Sequence, residues 1–231
     1  MDRPRDLAPA LLAEGVGAAM LVAIVVGSGI FAQRLSPHDP GLQLLENSTA
    51  TGAGLVALIL TFGHVSGAHF NPVVSLVERL GRRLSTRDTF AYAAAQIAGG
   101  AVGAVVANLM FDLRAVNLST RTRSSAGLWL GEVVATFGLL VVIAGVTRSS
   151  RPDRSAFAVG GYIAAAYWFT SSTSFANPAV TIGRTLTDTF SGIGPSSAPA
   201  FIAAQLVGAL LAAAFTNIVF RSATADEMER V

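Results

Sequence analysis

Two Asn-Pro dipeptides, Asn71-Pro72 and Asn177-Pro178, interrupt hydrophobic stretches at corresponding places in the two halves of the chain. Proline suits the first position of a helix, where its missing N–H costs nothing, and asparagine before it is a good N-cap. Each dipeptide is therefore expected to open a short helix, over about 71–79 and 177–188, too short to cross a bilayer. Interrupted backbone at membrane depth survives only where its freed polar groups meet protein or water. A matched pair of such breaks points to a solute path between the halves.

The rest of the chain reads as membrane-embedded. Of its 231 residues 52% are hydrophobic and only 13% are charged, against about a quarter charged in soluble domains. Runs such as Leu11–Ala32, Tyr92–Phe111 and Pro199–Phe220 reach the roughly 20 residues that a spanning helix needs. Six spans are expected, at about 8–33, 50–67, 88–111, 127–147, 156–174 and 197–220. The first is too long for a signal-peptide core and carries Glu14, so it is read as a span. There is no cysteine, hence no disulfide or thiolate metal site. All 16 basic residues are arginine, a bias of high-GC bacterial genomes, and the net charge of +2 gives no reason to expect a nucleic-acid partner.

Arginine placement orients the spans. With the N-terminus inside, eleven arginines fall on inner segments (3, 5, 79, 82, 83, 87, 148, 151, 154, 221 and 230) and five on outer ones (34, 114, 121, 123 and 184), in keeping with the positive-inside rule. Both termini are then cytoplasmic. Three spans per half make the second half inverted, so one membrane domain over 1–231 is expected, with repeats at about 8–111 and 127–220. Glu14 pairs with Glu132, Asn71 with Asn177 and Gln96 with Gln205, at offsets of 118, 106 and 109 residues, the differences being taken up in loops.

These residues resemble the major intrinsic protein family, the aquaporins and aquaglyceroporins. The likeness rests on Ser66-Gly67-Ala68-His69-Phe70-Asn71-Pro72-Val73, Asn177-Pro178-Ala179, the Glu14/Glu132 pair and Gln96, and covers roughly residues 10–220. It implies an all-α bundle of six tilted spans, two re-entrant half-helices meeting at the centre, a homotetramer with a pore in each subunit, and no cofactor. On that fold the half-helices point their N-termini at each other, and two dipole ends of roughly +0.5 charge oppose protons and cations. Pro72, Val73, Pro178 and Ala179 flank the central constriction, and the Asn71 and Asn177 amides donate to a passing solute. The segments before each Asn are expected to be extended, with carbonyls from Gly67, Ala68 and His69 and from Thr173 to Phe175 forming a ladder of acceptors. The resemblance makes Glu14 and Glu132 acceptors for the re-entrant loop backbones. Gln96, Gln205 and His64 are read as further scaffold, with no metal at His64 or His69.

The sequence departs from the family where a positive group is usual. The position after the second Asn-Pro-Ala, normally arginine, is Val180; Arg184 follows one turn later, near the outer mouth, and is not expected to replace it. Val73 stands where alanine is usual. The resemblance carries the other filter positions to Thr51, Ser174 and a fifth-span residue, either Tyr167 or Ala165. A filter of Thr51, Tyr167, Ser174 and Val180 is uncharged and is expected to be wide, leaving cation exclusion mainly to the two dipoles. Asn-Pro-Ala-Val resembles plant vacuolar channels and a bacterial branch associated with arsenic resistance; the arginine-only composition favours the second. The expected function is thus a passive channel of the bacterial inner membrane for water and small neutral solutes, including glycerol-like polyols and trivalent or methylated arsenicals. A strictly water-selective channel is the alternative if Tyr167 narrows the ring. A coupled secondary transporter shares the repeat logic but lacks a spare midplane acid, and no catalytic constellation marks an enzyme.

Overall fold

The computed structural model describes residues 7–149 and 151–228. Among the described residues eight α-helices run in chain order: α1 Leu7–Leu35, α2 Pro40–Ser66, α3 Pro72–Leu80, α4 Thr86–Met110, α5 Ala126–Thr147, α6 Ser155–Phe169, α7 Pro178–Gly183 and α8 Ala198–Met228. Five of them (α1, α2, α4, α5 and α8) are long and apolar enough to cross a membrane, and α6 is a shorter apolar helix of 15 residues. Arg3, Arg5 and Arg230, used above to orient the chain, lie outside the described residues.

Four element boundaries differ from the sequence reading, one being the end of the sixth span, at Met228 rather than 220. The second span starts at Pro40 rather than near 50, because Asp39 caps it by accepting from the Leu42 N–H. Its polar first turns look like a loop by hydropathy, yet Gln43, Asn47 and Ser48 are buried, and Asn47 donates to the Val25 carbonyl of α1 at 2.9 Å. The fifth span ends at Phe169 rather than 174, since Thr170 turns to an extended conformation and the chain enters the second loop. The second half-helix stops at Gly183, followed by a single 3-10 turn over Arg184–Leu186.

Packing follows the two halves. In the first α1 lies on α2 and α4; in the second α5 lies on α8 and α6. The halves join where α2 meets α6 and where each short helix reaches across, α7 against α4 and α3 against α8. The long-helix contacts are backbone-close. A Cβ on Gly99 or Gly103 would strike the Gly15 or Ala19 carbonyl of α1, and one on Gly208 would strike the Val133 carbonyl of α5. Such small-residue contact is how helices associate where lipid supplies no hydrophobic drive. The main apolar core, around Val22, Val25, Val26, Leu55 and Ile163, holds α1, α2 and α6 together.

Because backbone atoms cannot rotate away, Gly99→Val should destabilise the fold by about 3 kcal/mol. Gly161, whose Cβ would meet open space, should accept alanine with no loss, since alanine favours helix over glycine. Thermal unfolding of both variants in detergent checks the pair.

Candidate functional site: a paired-loop pore

The loops before α3 and α7 are not extended as expected. Ala68 and Phe70 sit at φ 51° and 49°, and Ser174 and Ala176 at 49° and 48°, with Gly67 at 92° and Thr173 at 62°. The two loops thus repeat one left-handed alternation at the same offset of 106 residues that separates the two Asn. L-residues pay roughly 1–2 kcal/mol each for that conformation, so something must hold it.

The holders are two buried carboxylates. Glu14 accepts from the His69 N–H (2.9 Å) and Ser66 hydroxyl (2.5 Å) on one oxygen, and from the Phe70 N–H (2.6 Å) and Gln96 amide (2.7 Å) on the other. Glu132 accepts from the Phe175 and Ala176 N–H groups, both at 2.9 Å, and from Gln205 at 2.5 Å. Both glutamates are fully buried. Each of these partners donates to a carboxyl oxygen. The glutamines also brace the half-helices, Gln96 to Ser75 (3.0 Å) and Gln205 to Thr181 (2.9 Å). Ser66, Ser75, Ser172 and Thr181 were missed in the sequence, although Ser66/Ser172 and Ser75/Thr181 stand at the Asn offset of 106. His69 joins through Nδ1 to Ser75 at 3.0 Å. His64 is exposed near the end of α2 and lies outside this network, which corrects its placement among the scaffold residues.

The two Asn lock the loops together. The Asn71 oxygen caps α3 by accepting from the Val73 N–H at 3.1 Å, and the Asn177 oxygen caps α7 by accepting from Ala179 at 2.9 Å. Each side-chain amide then crosses to the other loop: Asn71 donates to the Ala176 carbonyl and Asn177 to the Phe70 carbonyl, both at 2.8 Å. An amide carries two N–H groups, so each Asn keeps one donor beyond the cross-tie.

A cavity of about 430 Å³ runs past this junction, from Arg83, Arg148 and Ser155 at one end to Arg184 at the other, with Asn71 and Asn177 on its wall. Apolar side chains such as Leu21, Ile59, Leu139 and Val159 line much of the rest. Gly67, Ala68, His69 and Phe175 border it; Thr173 does not. Pro72, Val73, Pro178 and Ala179 are not on its wall either: Val73 packs with Leu140, Ala209 and Ala212, and Val74 borders the lumen instead.

Thr51, Tyr167, Ser174 and Val180 all line the cavity, as Arg184 does. Ala165 is exposed on the outside of α6. The Thr51 and Tyr167 hydroxyls lie 3.3 Å apart on helices that pack directly on each other, so this bond runs along one wall. The Ser174 hydroxyl, buried and on the lumen, has no hydrogen-bond partner among the described residues. Segment 112–125 bonds to the chain after α7, the Asn117 and Ser119 N–H groups donating to the Leu186 and Thr185 carbonyls; burial, with Arg121 nearby, pushes Arg123 down to about 10, which leaves it charged at neutral pH. At the Arg148 end of the cavity Arg83 grips Glu78 at 2.6 Å, which raises the guanidinium further above its usual value.

Comparison with known proteins gives one answer. A family model described as major intrinsic protein matches residues 3–166 and 152–231. The chain is 49% identical to the aquaglyceroporin AqpS of Rhizobium meliloti (strain 1021), over 94% of this chain and 93% of that protein. It is 37% identical to aquaporin NIP1-4 of Oryza sativa subsp. japonica over 60% of this chain and 53% of the rice protein. The X-ray structure of the aquaglyceroporin from Plasmodium falciparum superposes with a TM-score of 0.73 over 93% of this chain and 97% of its own, a likeness of fold at 19% identity.

Replacing Glu14 with glutamine turns one acceptor oxygen into a donor facing donors. Glu14→Gln should therefore lose about 1–3 kcal/mol in detergent unfolding, and the Asn71 loop should loosen first, read as faster amide exchange at His69 and Phe70.

Proposed function

This chain belongs to the major intrinsic protein family and is a membrane channel for water and small solutes, not an enzyme; on that premise we propose that it is a passive channel whose wide, uncharged waist admits larger neutral solutes as well as water. The observation that carries the reading is Val180 on the lumen, beside Thr51, Tyr167 and Ser174, where the family resemblance expects a guanidinium. With a short apolar side chain there and the Thr51–Tyr167 bond along one wall, the waist offers room and hydroxyls rather than a fixed cation.

A neutral solute crosses by exchanging water for fixed partners. The second N–H of Asn71 and of Asn177 donates at the midpoint, and loop carbonyls accept along the way. The apolar remainder gives nothing back to an ion that sheds its hydration shell. The N-termini of α3 and α7 add positive potential at the junction. Trivalent arsenic acids and their methylated forms are neutral near pH 7 and polyol-like in shape, so they fit such a waist as glycerol does.

We further propose that the chain is one channel domain over 1–231, with inverted repeats at 8–111 and 127–220, working as a homotetramer in the bacterial inner membrane. The arginine-rich Arg148 end, with Arg79, Arg82, Arg83, Arg87, Arg151 and Arg154 on neighbouring segments, faces the cytoplasm by the positive-inside rule.

Stopped-flow on proteoliposomes tests the filter. The wild-type chain should pass water, glycerol and a trivalent methylarsenical, and Val180→Arg should cut the two larger fluxes at least about tenfold while water still passes, because pore width sets solute range. Unchanged glycerol flux in the variant, or a wild-type chain that passes water alone, would overturn the reading; the second result would leave a strictly water-selective channel.

A further inference from the structure

We propose that Arg184 is the filter cation of this channel, displaced one helical turn outward from the position that Val180 occupies. The inference rests on the reading of the cavity as the pore, and it goes against the sequence expectation that Arg184 does not replace the missing group.

Four residues separate the two positions: Arg184 is the C-cap of α7, and its N–H donates to the Val180 carbonyl one turn back, where the 3-10 turn begins. Arg184 is 2% exposed to solvent, yet it lines the cavity. Its guanidinium lies over the Phe175 ring, with Cζ 3.4 Å from the ring centroid, and its Nε donates to the Ser191 carbonyl. Those two contacts fix the plane of the group. Nη1 has no hydrogen-bond partner among the described residues, and Arg184 is in neither of the ion pairs found among them. That unmet Nη1 is shielded from solvent, a costly state in a packed core that a small shift of the guanidinium into the cavity it lines would relieve.

A second guanidinium stands beside it. Arg123 lies over the same Phe175 ring, 5.3 Å from its centroid, and is held by the Gly192 and Phe190 carbonyls at 3.0 and 3.4 Å. Two guanidiniums therefore share one aromatic ring at this mouth. A cation entering from this end passes Arg184 on the wall, with Arg123 on the same ring, before it reaches Asn71 and Asn177. A neutral solute with a hydroxyl or carbonyl oxygen meets a donor instead. The arrangement separates two jobs: Val180 sets the width of the waist, and Arg184 supplies the charge and the donor.

The chain has no cysteine, so Arg184→Cys carries a single thiol. In proteoliposomes that thiol should react with a membrane-impermeant, trimethylammonium-bearing methanethiosulfonate. Before reaction the variant should leak sodium ions at least about tenfold faster than wild type while still passing water. The cationic reagent should suppress the leak, and the sulfonate-bearing reagent should not. A thiol that stays unreactive in the folded protein, or a variant with no added leak, would overturn the proposal. If Arg184→Cys does not fold, Arg184→Lys decides: it should keep sodium out but change the ratio of glycerol to water flux several-fold, and an unchanged ratio would overturn the proposal. Thiol labelling does not depend on which solutes pass. A channel that conducts only water yet labels at this position contradicts the wide-filter reading alone. One that passes glycerol but never labels contradicts this inference alone.

Discussion

Glu14 and Glu132 hold two loops in a backbone conformation that alanine, phenylalanine and serine do not favour. Each loop places left-handed residues two apart, and each carboxylate collects two consecutive N–H groups from that twist. The arrangement answers the backbone demand of a bilayer with one buried acid per loop. It also frees carbonyls: those of Phe70 and Ala176 turn to the opposite loop, where the two Asn amides meet them. The half-helices start where they do because these ties fix Asn71 and Asn177. The pore is what remains between elements that cannot move closer.

Glycine contacts and carboxylate ties act at different depths of the same design. The backbone-close approach of α4 to α1, and of α8 to α5, brings Gln96 and Gln205 within reach of the glutamates. The same glutamines then bond Ser75 and Thr181 on the half-helices. Long helix, acid, glutamine and short helix thus form one chain of contacts in each half. Thr51, Tyr167, Ser174, Val180 and Arg184 line the cavity apart from these ties, and we propose that they set its width and charge.

Much of this was legible in the sequence because the repeat doubles every signal. One Asn-Pro or one buried Glu says little; two in matching positions mark a symmetric pore. What stayed hidden has physical reasons. The first ten residues of α2 read as a loop since Gln43, Asn47 and Ser48 are polar, and their burial against α1 is a tertiary fact. The loops read as extended because their left-handed residues are not glycine, and a held strain leaves no mark in residue type. Val73 and Val74 are alike in sequence, and only the rotation of α3 puts the second on the lumen. Tyr167 is the filter residue that the sequence reading takes, with Ala165 left as the alternative, and the turn of α6 leaves Ala165 exposed. The hydroxyl pairs at the Asn offset were readable, but serine is too common among these spans to stand out alone.

We propose that the two tied loops form a fixed passage, open to neutral solutes without any energy-coupled change of shape. Glycerol influx into proteoliposomes, measured against outside concentration with and without an imposed proton gradient, tests that claim most directly. A fixed pore predicts a rate that rises linearly with concentration and ignores the gradient. Influx that saturates at low concentration and follows the proton gradient would mean that Glu14 or Glu132 takes part in coupling, and the passage would be a carrier's.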